Sequence, residues 1–576
     1  MGVFGDCGNN STNQLNVRNQ MINYLGTNYM NVWLLLGDNA YPSGYDAEYS
    51  AGFFNIYKDK FLKQNPLFPC PGNHDYDAPN TQNTHSSAYY AAFTMPTAGE
   101  AGGYPSGNEA FYSFDIGNIH FISLDSYGNE NNSTRLYDTS GAQVQWLKQD
   151  LDHNTNKEWI VAYWHHPPFT KGSHDSDIET DLVQIRTKFI KILERYGVDL
   201  VLCGHSHDYE RSKLQNGFYD VEANFNATVH NVSSSSGLYN GSANACPYYK
   251  SEATGNKGTV YVVSGSSGQL GGTTSGYPHN AMYFSNATNG GAIMLEIQGN
   301  RLDAKWVGAD GTIRDQFTMM KEVNQKKEYT VAVGSPITLQ ASYTGSYLWT
   351  TNEKTASITV TPAAEGSENY IVHDDYNCVA DTFTLRVSAT LPLTWGIVKA
   401  WHIKEEKANK VEWQTFQENN NHHFEVERSS NGRDFLKIAT INAANTNSTE
   451  HEYVYTDIQL SAAVKNYYYR IRQVDVNGSF SYSPVVVVNV DKPANTFDVQ
   501  IVPNPGKGYD MKIKLAGGRA QTAALKLYDA SGKLFFNKQV TLDVMLKSFI
   551  PALPAGTYFL SITTSNQYIT KQMVVL

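Results

Sequence analysis

Seven residues with metal-ligand side chains fall at or just after the ends of short apolar runs in the first 210 positions: Asp6, Asp38, Tyr41, Asn73, His165, His205 and His207. The clearest run is Trp33-Leu34-Leu35-Leu36, which reads as a strand buried on both faces. It stops at Gly37, with a carboxylate at Asp38 and a phenol at Tyr41. In open α/β sheets, ligands bind just beyond the carboxyl ends of strands. His205 and His207 stand two apart in an extended segment, so both side chains point the same way and can meet at one point. Seven mixed oxygen and nitrogen donors are too many for one tetrahedral ion and suit two ions sharing a bridging carboxylate. One Gly-Asp pair alone would read as a capped turn, but five segments end in this manner.

The elements that must position these residues alternate between strand and helix. Leu15–Tyr29 carries a weak helical pattern leading into the Trp33–Leu36 strand, and Leu67–Cys70 is a short strand ending at Gly72-Asn73-His74. Phe111–Phe114 and Ile119–Leu124 pair as a hairpin. Gln143–Leu151 and Leu182–Tyr196 are amphipathic helices, and Trp159–Trp164 and Val198–Cys203 are strands that run into His165-His166 and Gly204-His205. This order predicts a layered α/β domain. Ser-, Gly- and Asn-rich stretches at Asn231–Pro247 and Gly265–Pro278 are expected as loops over the mouth of the site. Strands within Leu295–Phe317 close the domain near residue 320.

A length of 576 residues corresponds to roughly four domains. The hydrophobic content of 41% supplies real cores, and the net charge of -11 argues against nucleic acid or an anionic membrane as partner. No run reaches the length of a membrane-spanning helix. Five cysteines, an odd number, are not expected to make a disulfide framework, and Cys7, Cys70 and Cys203 read as buried packing residues. Asp6 lies so near the start that most of the first strand, and a signal peptide, are expected to be missing.

Gly5-Asp6-Cys7-Gly8, Gly37-Asp38-Asn39-Ala40-Tyr41, Gly72-Asn73-His74, His165-His166-Pro167 and Gly204-His205-Ser206-His207 resemble the five blocks of the calcineurin-like metallophosphoesterases. Tyr41 and the extension His207-Asp208-Tyr209-Glu210-Arg211 resemble the purple acid phosphatase branch. That resemblance covers residues 1 to about 320. It implies an iron(III) held by Asp6, Tyr41 and His207, a divalent iron, zinc or manganese held by Asn73, His165 and His205, and Asp38 bridging both. It also implies phosphomonoester hydrolysis by a metal-bound hydroxide, with His74 and His174 as phosphate-binding residues or proton donors. His174 is placed by counting nine residues on from His165; His166 is adjacent and chemically identical, so the ligand at this block stays open between the two. Glu210 and Arg211 are expected in a structural salt bridge.

Beyond about Tyr329 short alternating strands replace the helices, as in β-sandwiches. An immunoglobulin-like module is expected over 325–390, a fibronectin type III-like module over 391–492, and a third small sandwich over 497–576. The last resembles the C-terminal sorting domain of type IX secretion in Bacteroidetes-type bacteria, through Pro503-Asn504-Pro505, Tyr528–Gly532, Leu553–Phe559 and the closing Lys571–Leu576. The fold class is therefore multidomain: an α/β metallophosphoesterase sandwich followed by three small all-β modules. The protein is expected to be secreted or displayed on the cell surface, to meet the secretion machinery through its last module, and to act on phosphate esters. A phosphodiesterase or nucleotidase using the same two metals, and an adhesion protein with an inactive scaffold, are the competing readings. The complete ligand set weighs against the second.

Overall fold

The apolar runs Trp33–Leu36, Trp159–Tyr163 and Leu200–Cys203 become interior strands because both of their faces find a covering layer, while Leu67–Cys70 and Tyr112–Ile116 stand at sheet edges. The computed structural model describes every residue except 77–78, 131–132, 155–156, 389–393, 417, 419–420, 445–449, 462–463, 477–479, 491–498, 503, 507–511, 516–520, 530–533, 543–552, 564–567 and 576. The chain divides into two compact units, Met1–Val387 and Ser388–Leu576.

The first unit begins with fourteen strands: β1 (Gly2–Phe4), β2 (Trp33–Leu36), β3 (Leu67–Cys70), β4 (Tyr112–Ile116), β5 (Ile119–Ser123), β6 (Trp159–Tyr163), β7 (Leu200–Cys203), β8 (Tyr209–Ser212), β9 (Tyr248–Lys250), β10 (Val260–Ser264), β11 (Met282–Asn286), β12 (Gly291–Gln298), β13 (Arg301–Gly308) and β14 (Ile313–Lys321). They form two seven-stranded sheets, ordered β3-β2-β1-β12-β13-β14-β9 and β11-β8-β10-β7-β6-β5-β4. One core runs through both sheets: Phe121, Val161, Leu202 and Trp306 are buried between them, and it continues to the other face of the first sheet, where Phe4 and Trp33 pack on Phe53, Tyr57 and Phe61. A second core, including Val144, Leu147, Trp164, Ile185, Phe189 and Leu193, packs helices on the outer face of the second sheet.

Helices form where the pattern changes period. Thr12–Leu25 is capped by Ser11, whose side chain accepts from the Gln14 amide, and ends at Gly26. Ala142–His153 buries Val144, Leu147 and Leu151, as the i, i+3, i+7 spacing requires. The second amphipathic stretch runs Thr180–Gln184, widens into a π-turn at Ile185–Phe189 and resumes at Ile190–Arg195.

Within the first unit, strands Lys326–Ala332, Ala380–Ser388, Gly366–His373 and Leu348–Trp349 make one small sheet, and Ile337–Gln340 pairs with Ser357–Val360. Their core around Leu339, Trp349, Phe383 and Leu385 is continuous with Tyr239 and Met320 of the preceding domain. The Asn231–Pro247 loop explains the continuity. Tyr239 donates its hydroxyl to Asp374 at 2.9 Å, and Cys246 is disulfide-bonded to Cys378 across 132 positions. This loop therefore buttresses the neighbouring β-module, in contrast to its expected place over the site. The five cysteines make this single bridge and no framework among the described residues, and Cys7, Cys70 and Cys203 are free and buried.

Among its described residues the second unit is all β. Thr394–Ile403, Ala408–Phe416 and His451–Asp457 form one sheet, and a second is built around Asn421–Ser429 and Asn466–Asp475, with Trp413, Phe424, Tyr469 and Ile471 buried. The C-terminal module has a four-stranded sheet in the order Leu534–Leu542, Gln521–Asp529, Gly556–Thr563, Tyr568–Val575. Its core holds Leu525, Leu527, Leu560, Ile562 and Met573. The expected linker at Pro493-Ala494, the residue Pro503 and the turn at Ala530-Ser531-Gly532 lie outside the described residues.

Candidate metal centre

Strands β1, β2, β3, β6 and β7 end on the same side of the two sheets, and the loops that follow them carry the seven expected ligands. The backbone must turn sharply there. Asp6, Asp38 and His205 all adopt left-handed φ values of 57°, 53° and 67°, which non-glycine residues seldom do and which aim the side chains inward. Gly37 has no room for a side chain, since a Cβ would stand 2.6 Å from His165 Nδ1 and 2.8 Å from the Gly72 amide nitrogen.

Two groups of donor atoms result. In the first, the Tyr41 hydroxyl lies 3.1 Å from Asp6 Oδ1, 3.0 Å from Asp38 Oδ2 and 3.1 Å from His207 Nε2. In the second, His165 Nε2 lies 3.3 Å from Asp38 Oδ2, 3.1 Å from Asn73 Oδ1 and 3.2 Å from His205 Nδ1. Asp38 Oδ2 belongs to both. Donors held about 2.0–2.2 Å from one ion stand roughly 3.0–3.5 Å from each other, so these spacings fit metal coordination as well as hydrogen bonding. Asp6, Asp38 and His165 also form a buried group whose ligand atoms all lie within 4.8 Å of one another.

Supporting contacts fix the orientation of the donors. The Leu36 carbonyl accepts from His165 Nδ1 at 2.8 Å, so Nε2 is the ring nitrogen that faces the site. His166 Nδ1 instead lies 2.8 Å from Ser126 Oγ, while His165 is the one whose Nε2 meets Asp38 and Asn73. Asp75, one residue past His74, accepts the Gly72 and Asn39 amides and the Asn39 side chain, fixing the turn that presents Asn73.

The electrostatics favour positive charge. Burial, then Asp38 and Asp6, push the Tyr41 phenol well above its ordinary range. Burial alone would keep His165 neutral, but Asp38 and Asp6 outweigh it and hold its pKa at about 9. Among the described residues no lysine or arginine pairs with Asp6 or Asp38; their ion-pair partners are His74, His165 and His207.

His74 and His174 stand at the rim, with 40% and 33% of their side chains exposed. His74 Nδ1 is 2.6 Å from the Pro42 carbonyl oxygen, leaving Nε2 4.0 Å from Asp38 Oδ2. His174 stacks on His205 at 3.7 Å, and its Nδ1 meets Glu179 at 3.0 Å. Glu179 also lies 3.7 Å from His205 Nε2. Sequence reasoning missed Glu179, for which five-residue spacing from His174 at a helix start is no signal by itself. The Gly265–Pro278 loop does cover the site, with the Gly271 amide donating to the His207 carbonyl at 3.2 Å. The expected salt bridge is re-partnered: Arg211 pairs with Asp315 through Nε and Nη2 at 2.6 and 2.8 Å, while Glu210 faces Thr170 and Lys171.

Residues 1–209 match the family described as Calcineurin-like phosphoesterase. The chain carries a calcineurin-like phosphoesterase domain. Residues 500–576 match the family described as Secretion system C-terminal sorting domain. The phosphoesterase domain is similar to Purple acid phosphatase 15 of Arabidopsis thaliana, at 32% identity over 174 residues, 30% of this chain and 29% of that protein. It is similar to Acid phosphatase type 7 of Danio rerio at 27% identity over 356 residues, 56% of this chain and 68% of that protein. A solved purple acid phosphatase from yellow lupin (Lupinus luteus) seeds aligns with 56% of this chain and 53% of its own, at 17% identity and a TM-score of 0.42. The chain spans 29% of the length of the first two curated relatives it matches. No described helix is long and apolar enough to cross a membrane.

Proposed function

We propose that the phosphoesterase domain binds two metal ions and hydrolyses phosphate monoesters, as a secreted or cell-surface phosphatase of the acid type. Asp6, Tyr41 and His207 would hold an iron(III), Asn73, His165 and His205 a divalent iron, zinc or manganese, and Asp38 both. The observation that carries this reading is the position of Asp38 Oδ2, 3.0 Å from the Tyr41 hydroxyl and 3.3 Å from His165 Nε2. A single carboxylate oxygen shared by an anionic oxygen set and a nitrogen-rich set suits two unlike ions. When bound, such a pair supplies Lewis acidity to phosphoryl oxygens and lowers the pKa of a water.

The chain's own residues do the rest. His165 is locked by Leu36, and Asp38 is steadied by the His74 amide at 2.9 Å. His74 and His174 each have Nδ1 engaged, which leaves Nε2 to contact a phosphoryl oxygen or pass a proton to the leaving oxygen. General acid help of this kind is worth about 10²–10⁴ in rate. The sorting domain match supports delivery by the secretion machinery, and removing residues 500–576 should block export without changing turnover.

Metal analysis with parallel assays on a phosphomonoester and a bis-ester tests the proposal. Two ions per chain and preferential monoester turnover are expected; turnover of the bis-ester alone would overturn it. Iron-loaded protein should be violet to pink from tyrosinate-to-iron charge transfer, and Tyr41→Phe should be colourless.

A further inference from the structure

Side chains alternate between the two faces of strand β8 and its approach. Tyr209 stacks on Trp306 at 4.5 Å and Arg211 pairs with Asp315 at 2.6 Å, both in the space between the two sheets. Asp208 and Glu210 therefore point to the outer face of the second sheet, and both are fully buried there. Asp208 follows the proposed ligand His207 in the chain, but neither carboxylate belongs to the donor cluster of the metal centre.

A buried carboxylate needs hydrogen bonds or a cation, and these two are short of both. Among the described residues, neither oxygen of Asp208 has a hydrogen-bond partner, and Glu210 Oε2 has none. Glu210 Oε1 accepts a long bond, 3.4 Å, from the Lys171 amide. The Lys171 ammonium turns instead to Asp175 at 2.6 Å, Asp177 at 3.4 Å and Glu222 at 3.6 Å.

Other oxygens gather around the pair. The hydroxyls of Ser206 and Thr170 stand beside Asp208 and Glu210, and Thr170 donates to Ser206 at 2.8 Å. Ser285 is the register partner of Glu210 on β11. Its hydroxyl and that of Tyr277 are buried and, among the described residues, also without partners. Burial, then Asp208 and Glu210, push the Tyr277 phenol above its ordinary range, which puts its hydroxyl close to both carboxylates. Gly172 closes over them, since a Cβ there would stand 2.6 Å from Asp208 Oδ1.

We propose that Asp208, Glu210 and the Tyr277 hydroxyl hold a calcium ion behind the turn that presents His205 and His207, a site separate from the two-metal centre. Oxygen donors with no nitrogen or sulfur among them select a hard cation over a transition metal. Two carboxylates balance one divalent charge. Calcium accepts about six to eight oxygens in irregular geometry, whereas magnesium demands a near-ideal octahedron and keeps several waters, which suits a fully buried pair less well. Tyr277 comes from the Gly265–Pro278 loop, so the ion would tie that loop to the His205–His207 turn. The inference does not depend on which ester the metal centre hydrolyses.

The test counts calcium apart from the ions of the metal centre. The full chain, its centre filled with zinc, is equilibrated with radioactive calcium. Wild type should take up one calcium per chain, and Asp208→Asn and Glu210→Gln should each weaken uptake by at least about tenfold with zinc content unchanged. Calcium at a hundred times its Kd should raise the wild-type Tm by about 5 °C and leave both variants unmoved. Asp38→Asn, which disturbs the metal centre, should keep its calcium. No uptake by wild type, or undiminished uptake in both variants, overturns the site and leaves the metal centre standing. The first of these is the result expected if the two carboxylates share a proton instead, and the isosteric amides would then be no less stable than wild type. Loss of calcium in Asp38→Asn with retention in Asp208→Asn would put the ion in the metal centre and overturn the site as well. Magnesium uptake of equal affinity overturns the choice of calcium.

Discussion

Strand β7 separates two buried charge clusters that have been resolved in opposite ways. At its start, Asp199 receives Lys250 on Oδ1 and Lys321 on Oδ2, both at 2.7 Å, and the Ile160 amide at 2.9 Å. Burial lowers the Lys250 pKa to about 8, but the cluster carries its own cations. Four residues further on, the strand runs out into His205 and the Asp6–Asp38–Tyr41 group, where the described partners are imidazoles, an amide and one another. A buried carboxylate without a permanent counter-charge is costly unless a cation arrives from outside. The first cluster is finished by folding, and the second is left for a ligand to finish.

The sharpest way to break this contrast is at the shared carboxylate. Asp38→Asn should reduce turnover by at least about 10³-fold and drop metal content below two per chain, because it weakens the one proposed bridge. Full occupancy with a near-normal rate would place the metal centre elsewhere. Asp199→Asn at the other end should behave inversely: a loss of about 3–5 kcal/mol in unfolding free energy, since two lysines are left facing each other, with metal content and turnover per folded molecule unchanged. Denaturant titration beside metal analysis reads both.

A self-neutralised cluster should also show its own pH signature. His120 is buried between Asp115 at 2.8 Å and Asp150 at 2.7 Å; burial alone would keep it neutral, but these hydrogen bonds hold its pKa at about 9. A histidine whose pKa is raised on folding contributes stability that is fully present below the unfolded value of about 6.5 and is lost as pH climbs through 9. That contribution is on the order of 3 kcal/mol. In His120→Gln the decline in Tm between pH 6.5 and 9 should flatten; an unaltered profile would show that the ring is not the charged member.

The smallest effect is expected where the two kinds of cluster meet. Glu179→Ala removes the carboxylate steadying His174 and His205, and comparable supporting residues cost about 10–100-fold in activity or metal affinity. A loss confined to turnover would assign Glu179 to His174, and a loss of metal to His205.

The five blocks of candidate ligands were legible because each is a strand end followed by a side chain of unusual type, a local signal. Strands β2 to β7 and the helices between them followed from the same periodicities, whereas β8 to β11 were not read from the sequence and the π-turn at Ile185–Phe189 left no mark in the spacing. What stayed hidden depends on pairing across long separations. His165 and His166 are identical as letters, and what sets them apart is distant: Leu36 and Asp38 for one, and Ser126, forty positions away, for the other. Arg211 finds Asp315 over a separation of 104, and the Asn231–Pro247 loop could not announce that its partner was a module more than a hundred residues on.

The Cys246–Cys378 bridge makes the chain a recorder of where it matured. Structural disulfides persist in oxidising compartments and are rare in a reducing cytosol. Protein collected outside the cell should present three thiols to a denaturing thiol assay, Cys7, Cys70 and Cys203, and material trapped inside should present five. The count needs no activity, metal or antibody, and it separates molecules that reached an oxidising compartment from those that did not. In a chain lacking the last 77 residues, from 500 to 576, it would read arrival in an oxidising compartment independently of that module.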